Sequence, residues 1–265
     1  MDYVHGYSQK ESTRLVDQAT TLVDLLHSDT TYPPGSLVLE AGCGIGAQTV
    51  TLAAGSLDTH FVSIDISAES LAQAKKAVKE AGLNNVTFQQ ADIYNLPFEK
   101  DHFDHVFVCF VLEHLAHPEE ALLNLKQVLK PGGTITAIEG DHGSAYFHPD
   151  SLDAQKAIQC LITLQQQAGG DALIGRRLYP LLVEGGFREV RVSPRMVYAD
   201  GSRPALQDGF TRKTFTAMVE GVAERAIGDN LMDSNSWTKG IRDLYRTAEQ
   251  DGVFCYAFFK AVGFR

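Results

Sequence analysis

Residues 38–46 read VLEAGCGIG: an apolar run that ends in an acid, then Gly42, Gly44 and Gly46 alternating with single residues, then directly a helical pattern. Glycine lets a chain turn sharply between strand and helix and lets a ligand come close to the backbone. Any tight strand-to-helix turn also needs it, so the spacing has to decide. Here it is G-x-G-x-G, whereas dinucleotide sites use G-x-G-x-x-G. Glu40 stands two places before the first glycine, and Asp65, in SIDIS, lies 19 residues after Gly46 at the end of the next apolar run. In a doubly wound sheet that puts the Asp65 carboxylate beside the glycine turn, where it can accept hydrogen bonds from two ribose hydroxyls. The plainer role for Asp65 is to cap the following helix, for which Ser67 and Ser70 also qualify. No GKS or GKT sequence is present, which excludes a P-loop NTPase.

Other residue types that do chemistry are scattered. Glu113 and His114 are adjacent, and neighbours on a helix point about 100° apart. A metal needs several converging ligands, so no metal site is expected there. His117, His142 and His148 read as surface or cleft histidines. Glu139 and His142 lie in the loop expected after the fifth strand, Glu139-Gly140-Asp141-His142, and are the candidates for a general base, although position alone identifies no base.

The elements that must hold these residues alternate. Apolar strands are predicted at 37–39, 61–64, 86–90, 106–110 and 134–138, and later at 190–192 and 253–261. Helices lie between them. The first follows a coil up to Lys10, with Ser12 as N-cap and Leu15, Ala19, Leu22 and Leu26 on one face. Leu71, Ala74, Val78 and Ala81 mark another. Pro118 opens a third, with Glu119 and Glu120 in its first turn, and Pro131-Gly132-Gly133 stops it. Strands alternating with helices mean crossover connections and a mostly parallel sheet, here seven-stranded, in an α/β fold.

Composition narrows the classes. The chain has 265 residues, 44% of them hydrophobic and 21% charged, and a net charge of −10. That is a globular chain whose charge opposes binding to nucleic acid or anionic lipid. Cys43, Cys109, Cys160 and Cys255 are far apart, so reduced thiols and a cytoplasmic location are expected. The first residues lack a signal-peptide core, and the longest uncharged apolar run, 106–112, falls far short of the ~20 residues that span a bilayer.

Five segments in order, VLEAGCGIG, SIDIS, QQADIYNLPF, FDHVFVCFVLEHL and LKPGGTITAIEG, give the chain a clear resemblance over residues 37–140. It resembles the class I S-adenosylmethionine-dependent methyltransferases, and among them the ubiquinone/menaquinone biosynthesis C-methyltransferase group. The resemblance implies a Rossmann-like methyltransferase fold and S-adenosyl-L-methionine as cofactor. It implies that Gly42, Gly44 and Gly46, with Glu40 and Cys43, line the methionine and ribose part. Asp65 would bind the ribose, Ile66 would pack on adenine, and Asp92 with Ile93 would form the adenine edge. Cys109 would touch the methionine portion through its backbone, and Asp104 would be structural. In one related branch of O-methyltransferases an acid three residues before an EH pair completes a metal site. Here that residue is Phe110, so the pattern is broken. No N/D-P-P-Y/F tetrapeptide follows the fourth strand, which also speaks against a nucleic-acid substrate.

The segments outside the resemblance suggest how a substrate is chosen. Residues 1–35 are expected to form an arm and helix closing over the cofactor, with Tyr7 shutting the pocket and Arg14 pairing with the methionine carboxylate. A loosely docked tail is the alternative. Residues 36–192 and 253–265 form the core, with an inserted helix at about 150–168. Residues 193–252 form a helical cap with stripes Phe215, Met218, Val219, Val222 and Ile241, Leu244, Tyr245, Ala248. Tyr146, Phe147, Phe210, Phe215 and Trp237 are expected to turn inward around a small organic substrate. The same stripes would serve a homodimer instead. A non-catalytic cofactor-binding or regulatory module shares every core motif, and a nicotinamide oxidoreductase is disfavoured by the glycine spacing.

Overall fold

The structure is a computed structural model that describes the chain from Gln9 to Arg265, with the side chains of residues 14, 15 and 17–265. In chain order the elements are α1 (Gln9–His27), β1 (Leu37–Ala41), α2 (Ala47–Gly55), β2 (His60–Asp65), α3 (Ala68–Glu80), β3 (Val86–Gln90), β4 (Phe103–Cys109), α4 (Pro118–Val128) and β5 (Leu129–His148). There follow α5 (Leu152–Gln167), α6 (Leu178–Glu184), β6 (Arg188–Asp200), α7 (Pro204–Leu206), a π-helical run (Gln207–Thr216), α8 (Ala217–Glu220), α9 (Ala223–Gly228), α10 (Ser234–Arg246) and β7 (Val253–Phe264). Single 3₁₀ turns lie at Leu112–His114 and Ile174–Arg177.

Seven strands form one sheet in the order β3-β2-β1-β4-β5-β7-β6. The pairs β2–β3, β1–β2, β1–β4 and β4–β5 are parallel, as the alternating pattern requires. The central strands are mostly apolar because helices cover both faces: Val38, Leu39, Val106 and Val108 are fully buried.

Two compact units divide the chain. The sheet unit holds Leu26–Glu139, Ile174–Pro194 and Phe259–Arg265; the helical unit holds the described residues up to Leu25, Gly140–Leu173 and Arg195–Phe258. In the sheet unit, Ala121, Leu122 and Leu125 of α4 join Leu178, Leu181 and Leu182 of α6 in the core. Lys260 of β7 is buried and donates to Asp29 Oδ1 and Thr30 Oγ1, both at 2.6 Å, which fixes the chain after α1. Beside it burial lowers the His27 pKa to about 4, although Gln48 Oε1 lies 2.6 Å from its ring.

In the helical unit α5 and α10 pack closely enough to exclude side chains. A Cβ on Gly240 would stand 2.5 Å from the Asp153 carbonyl oxygen. Ser151 caps α5 by accepting from the Ala154 amide and donates its hydroxyl to Asp243 at 2.6 Å. Lys239 bridges Asp153 and Asp243 at 3.1 and 2.6 Å.

Several expected boundaries move. The first helix starts at Gln9, so Ser12 lies within it and not at its cap. The fifth strand runs from Leu129 to His148, and 139–142 is strand instead of loop. It can extend because β7 is its neighbour in the sheet, and strand pairing across more than a hundred residues leaves no local signature. The sixth strand continues to Asp200, with Val197 and Ala199 buried while Met196 and Tyr198 face solvent. The first expected cap helix is instead the π-helical run followed by two short helices. Gly209 approaches the Thr21 side chain too closely for a Cβ, and Gly221 and Gly228 close α8 and α9.

Gly240→Ala should lower the stability of the folded chain by about 1–3 kcal/mol, because α5 and α10 must separate to admit a methyl group. Urea unfolding reads this directly.

Candidate functional site

The sheet changes its direction of growth between β1 and β4, and open α/β sheets bind ligands at the carboxyl ends of the strands flanking such a point. The glycine turn begins there. Gly42, Gly44 and Gly46 all have left-handed φ, at 76°, 53° and 82°. The amides of Gly42 and Cys43 both donate to the Ile64 carbonyl, at 2.8 and 2.9 Å. Gly42 has no room for a Cβ because the Val111 side chain occupies that space. On Gly46 a Cβ would sit 2.9 Å from Ala74 Cα. On Gly44 it would meet nothing within 4 Å. Two glycines therefore serve packing, and the middle one leaves an open cradle of backbone.

Asp65 holds this cradle. Its Oδ2 accepts from the Gly44 amide at 2.8 Å, and its Oδ1 from the Ser67 amide at 2.9 Å. The capping of α3 falls to Ser67, whose hydroxyl oxygen accepts from Ser70. Ile66 is an apolar side chain left 61% exposed next to that carboxylate. Asp92 is exposed and accepts from the Tyr94 amide at 2.9 Å, while the neighbouring Ile93 is half-buried against the sheet core. Asp104 is engaged at the opposite end of its strand, accepting from the Leu37 amide at 2.9 Å and from Lys130 Nζ at 2.7 Å.

Glu40 lies beneath the turn, fully buried. Its Oε2 accepts the Ser63 hydroxyl at 2.6 Å. Burial raises its pKa to about 7, against the pull of the Ser63 and Thr49 hydroxyls.

After β4 the chain makes a strained turn. Phe110 has φ 58°, rare for a side chain of its size, and its amide donates to the Ile138 carbonyl at 2.9 Å. The next two amides, of Val111 and Leu112, donate to Glu139 Oε1 at 3.0 and 2.8 Å. Glu139 is fully buried, and burial together with the nearby Glu113 carboxyl holds its pKa well above the carboxylate range. Cys109 is buried among Glu139, Glu40 and Glu113, and burial keeps its thiol protonated. His114 lies 3.6 Å from Glu113. Among the described residues no group of three His, Cys, Asp or Glu side chains converges on a metal position.

The helical unit contributes its own cluster. His142 Nδ1 and the Tyr256 hydroxyl are 2.7 Å apart, and both side chains are buried. The rings of Phe215 and Tyr256 pack against His142, and Phe210 packs against Phe215 and Tyr256. Phe210, Phe215 and Trp237 are buried as expected; Phe147 is half-buried and stacked on Phe254. Tyr146 departs from the expectation, because alternation along β5 turns it to solvent, 58% exposed. Arg14 is buried on α1 and donates to Gln18 at 2.9 Å. Tyr7 lies outside the described residues. Sequence reasoning missed Tyr256, which is 114 positions from His142, and the two amides on Glu139; neither has a local signature.

Residues 39–137 match the family described as Methyltransferase domain. The chain is 32% identical over 202 residues to an uncharacterized 37.1 kDa protein in a transposon of Streptomyces fradiae, covering 76% of this chain and 57% of that protein. It is 37% identical over 108 residues to the ubiquinone/menaquinone biosynthesis C-methyltransferase of Ectopseudomonas mendocina, covering 40% and 42%. The chain thus spans between two fifths and three fifths of these relatives. A putative methyltransferase from Bacillus halodurans superposes with a TM-score of 0.59 at 17% identity, covering 92% of this chain and 98% of that one. A phosphoethanolamine N-methyltransferase of Haemonchus contortus, solved with S-adenosylhomocysteine, gives 0.56 at 17% identity, covering 93% and 52%. No described helix is long and apolar enough to cross a membrane.

Glu40 makes stability depend on pH. Its pKa rises from 4.5 when unfolded to about 7 when folded, so its contribution is full below about pH 4.5 and is lost as pH rises through 7. Glu40→Gln should remove about 2–3 kcal/mol of the stability difference between pH 5 and pH 8. Urea unfolding of both proteins at the two pH values measures it.

Proposed function

We propose that this chain, whose residues 39–137 form a class I S-adenosylmethionine-dependent methyltransferase domain related to the ubiquinone/menaquinone C-methyltransferases, moves a methyl group onto a small organic molecule by in-line displacement. The observation that carries this reading is the left-handed glycine turn tied through the Gly44 amide to Asp65. The residues present fit the cofactor. Gly44 offers open backbone, Asp65 offers a carboxylate at the turn, and Ile66 offers an exposed apolar face beside it.

When bound, the cofactor supplies a methyl group on a positively charged sulfur, already activated for displacement. The chain has to hold it, align it with the acceptor and exclude water. Each Asp65 oxygen already accepts one amide and keeps a lone pair for a ribose hydroxyl. Ile66 packs on adenine, Asp92 accepts from the adenine amino group, and Ile93 closes that edge. The backbone of Cys109 meets the methionine portion, and the cradle of Gly42, Cys43, Gly44 and Gly46 receives the rest, with Glu40 supporting it from below.

The acceptor is read from the helical unit. Its buried aromatic cluster supports a small and largely apolar molecule, and the net charge of −10 speaks against nucleic acid. Where the acceptor must lose a proton, His142 takes it, with Tyr256 orienting the ring. The four cysteines are free thiols, which suits a cytoplasmic enzyme.

Calorimetric titration with S-adenosylmethionine, S-adenosylhomocysteine and NAD tests the cofactor, and heat from NAD alone would defeat the reading. Asp65→Ala should weaken S-adenosylhomocysteine binding by about 2–3 kcal/mol, with a smaller loss for Asp92→Ala. Release of S-adenosylhomocysteine over a panel of small acceptors tests catalysis. Binding without turnover on any of them would favour a regulatory module. With an acceptor in hand, Tyr256→Phe should lower kcat about tenfold or more while leaving S-adenosylhomocysteine affinity unchanged.

A further inference from the structure

Glu139 is fully buried in the sheet unit, and its two oxygens are treated differently. Oε1 receives the Val111 and Leu112 amides. Oε2 is buried and makes no hydrogen bond of ordinary geometry, although the Glu113 amide lies close enough to draw on the carboxyl. The held turn matters to the cradle, because the Val111 side chain fills the space beside Gly42 that a Cβ would need. A chain of contact therefore runs from Glu139 through Val111 to the first glycine.

We infer that Glu139 is a positioning residue for the cofactor, one oxygen holding the turn after β4 against the glycine turn and the other answering the positive charge on the cofactor's sulfur. This rests on the cofactor reading above. A buried carboxylate oxygen without a hydrogen bond of ordinary geometry is costly, more so with Glu113 beside it and Glu40 in the same unit. Without a nearby cation, burial and Glu113 favour a proton on Glu139; a cation in the site takes over that role. The arrangement distinguishes a sulfonium from the neutral thioether that remains after transfer, so it favours loading with methyl donor and release of product. Glu139 is not needed as a base in this scheme, since its accessible chemistry is spent on two amides and a charge.

Glu139→Gln separates the two roles, because the amide oxygen still accepts from Val111 and Leu112 while the charge is gone. Affinities for S-adenosylmethionine, the cationic amine analogue sinefungin and neutral S-adenosylhomocysteine are measured by calorimetry, with thermal unfolding as the check on folding. The variant should bind S-adenosylhomocysteine within about threefold of the parent and both cationic ligands about tenfold or more weakly. Glu139→Ala should weaken all three, and Glu139→Asp, which keeps the charge, should retain the preference for the cationic ligands even if the Gln variant does not fold. An equal loss of all three ligands in Glu139→Gln, or no loss, or loss of the preference in Glu139→Asp, overturns the inference while the cofactor reading stands. If the parent protein binds none of the three, the cofactor reading itself fails.

Discussion

Everything at the candidate site depends on a backbone constraint: three residues within five must adopt left-handed φ between β1 and α2. Only glycine does this at low cost, and two of the three positions also have no space for a side chain. The turn cannot hold itself. Its amides are tied to β2 twice over, through the Ile64 carbonyl and through the Asp65 carboxylate. The strand that ends in Asp65 therefore fixes the shape of the turn and supplies a carboxylate beside it.

Around the turn the protein concentrates buried carboxyls where ordinary cores avoid them. Glu40, Glu113 and Glu139 are all buried in the sheet unit. Glu40 and Glu139 have raised proton affinity, chiefly through burial. Hydroxyls and backbone amides satisfy part of their bonding capacity, which keeps the cost tolerable.

The helical unit works by different physics. Its two long helices meet closely at Gly240, and its interior is filled with aromatic rings around one hydrogen-bonded His–Tyr pair. Apolar surroundings make that pair sensitive to what approaches it, because water does not compete for the hydrogen bond.

Much of this was legible in the sequence because it is local. The strand at 86–90 and the helix at Pro118–Val128 follow from short-range periodicity and punctuation. The seven-stranded α/β sheet follows from their alternation, and the glycine turn from its own spacing. Tertiary structure decided the rest. Residues 139–148 became strand because β7 arrives beside them, and Met196 to Asp200 stayed extended as part of the same sheet. The same holds for chemistry. That Tyr256 would meet His142, and that Glu139 would meet two amides 27 and 28 positions away, depends on chain closure over long separations. Residue type and spacing along the chain carry information over a turn or a strand, whereas pairing across the fold is set by the packing of the whole.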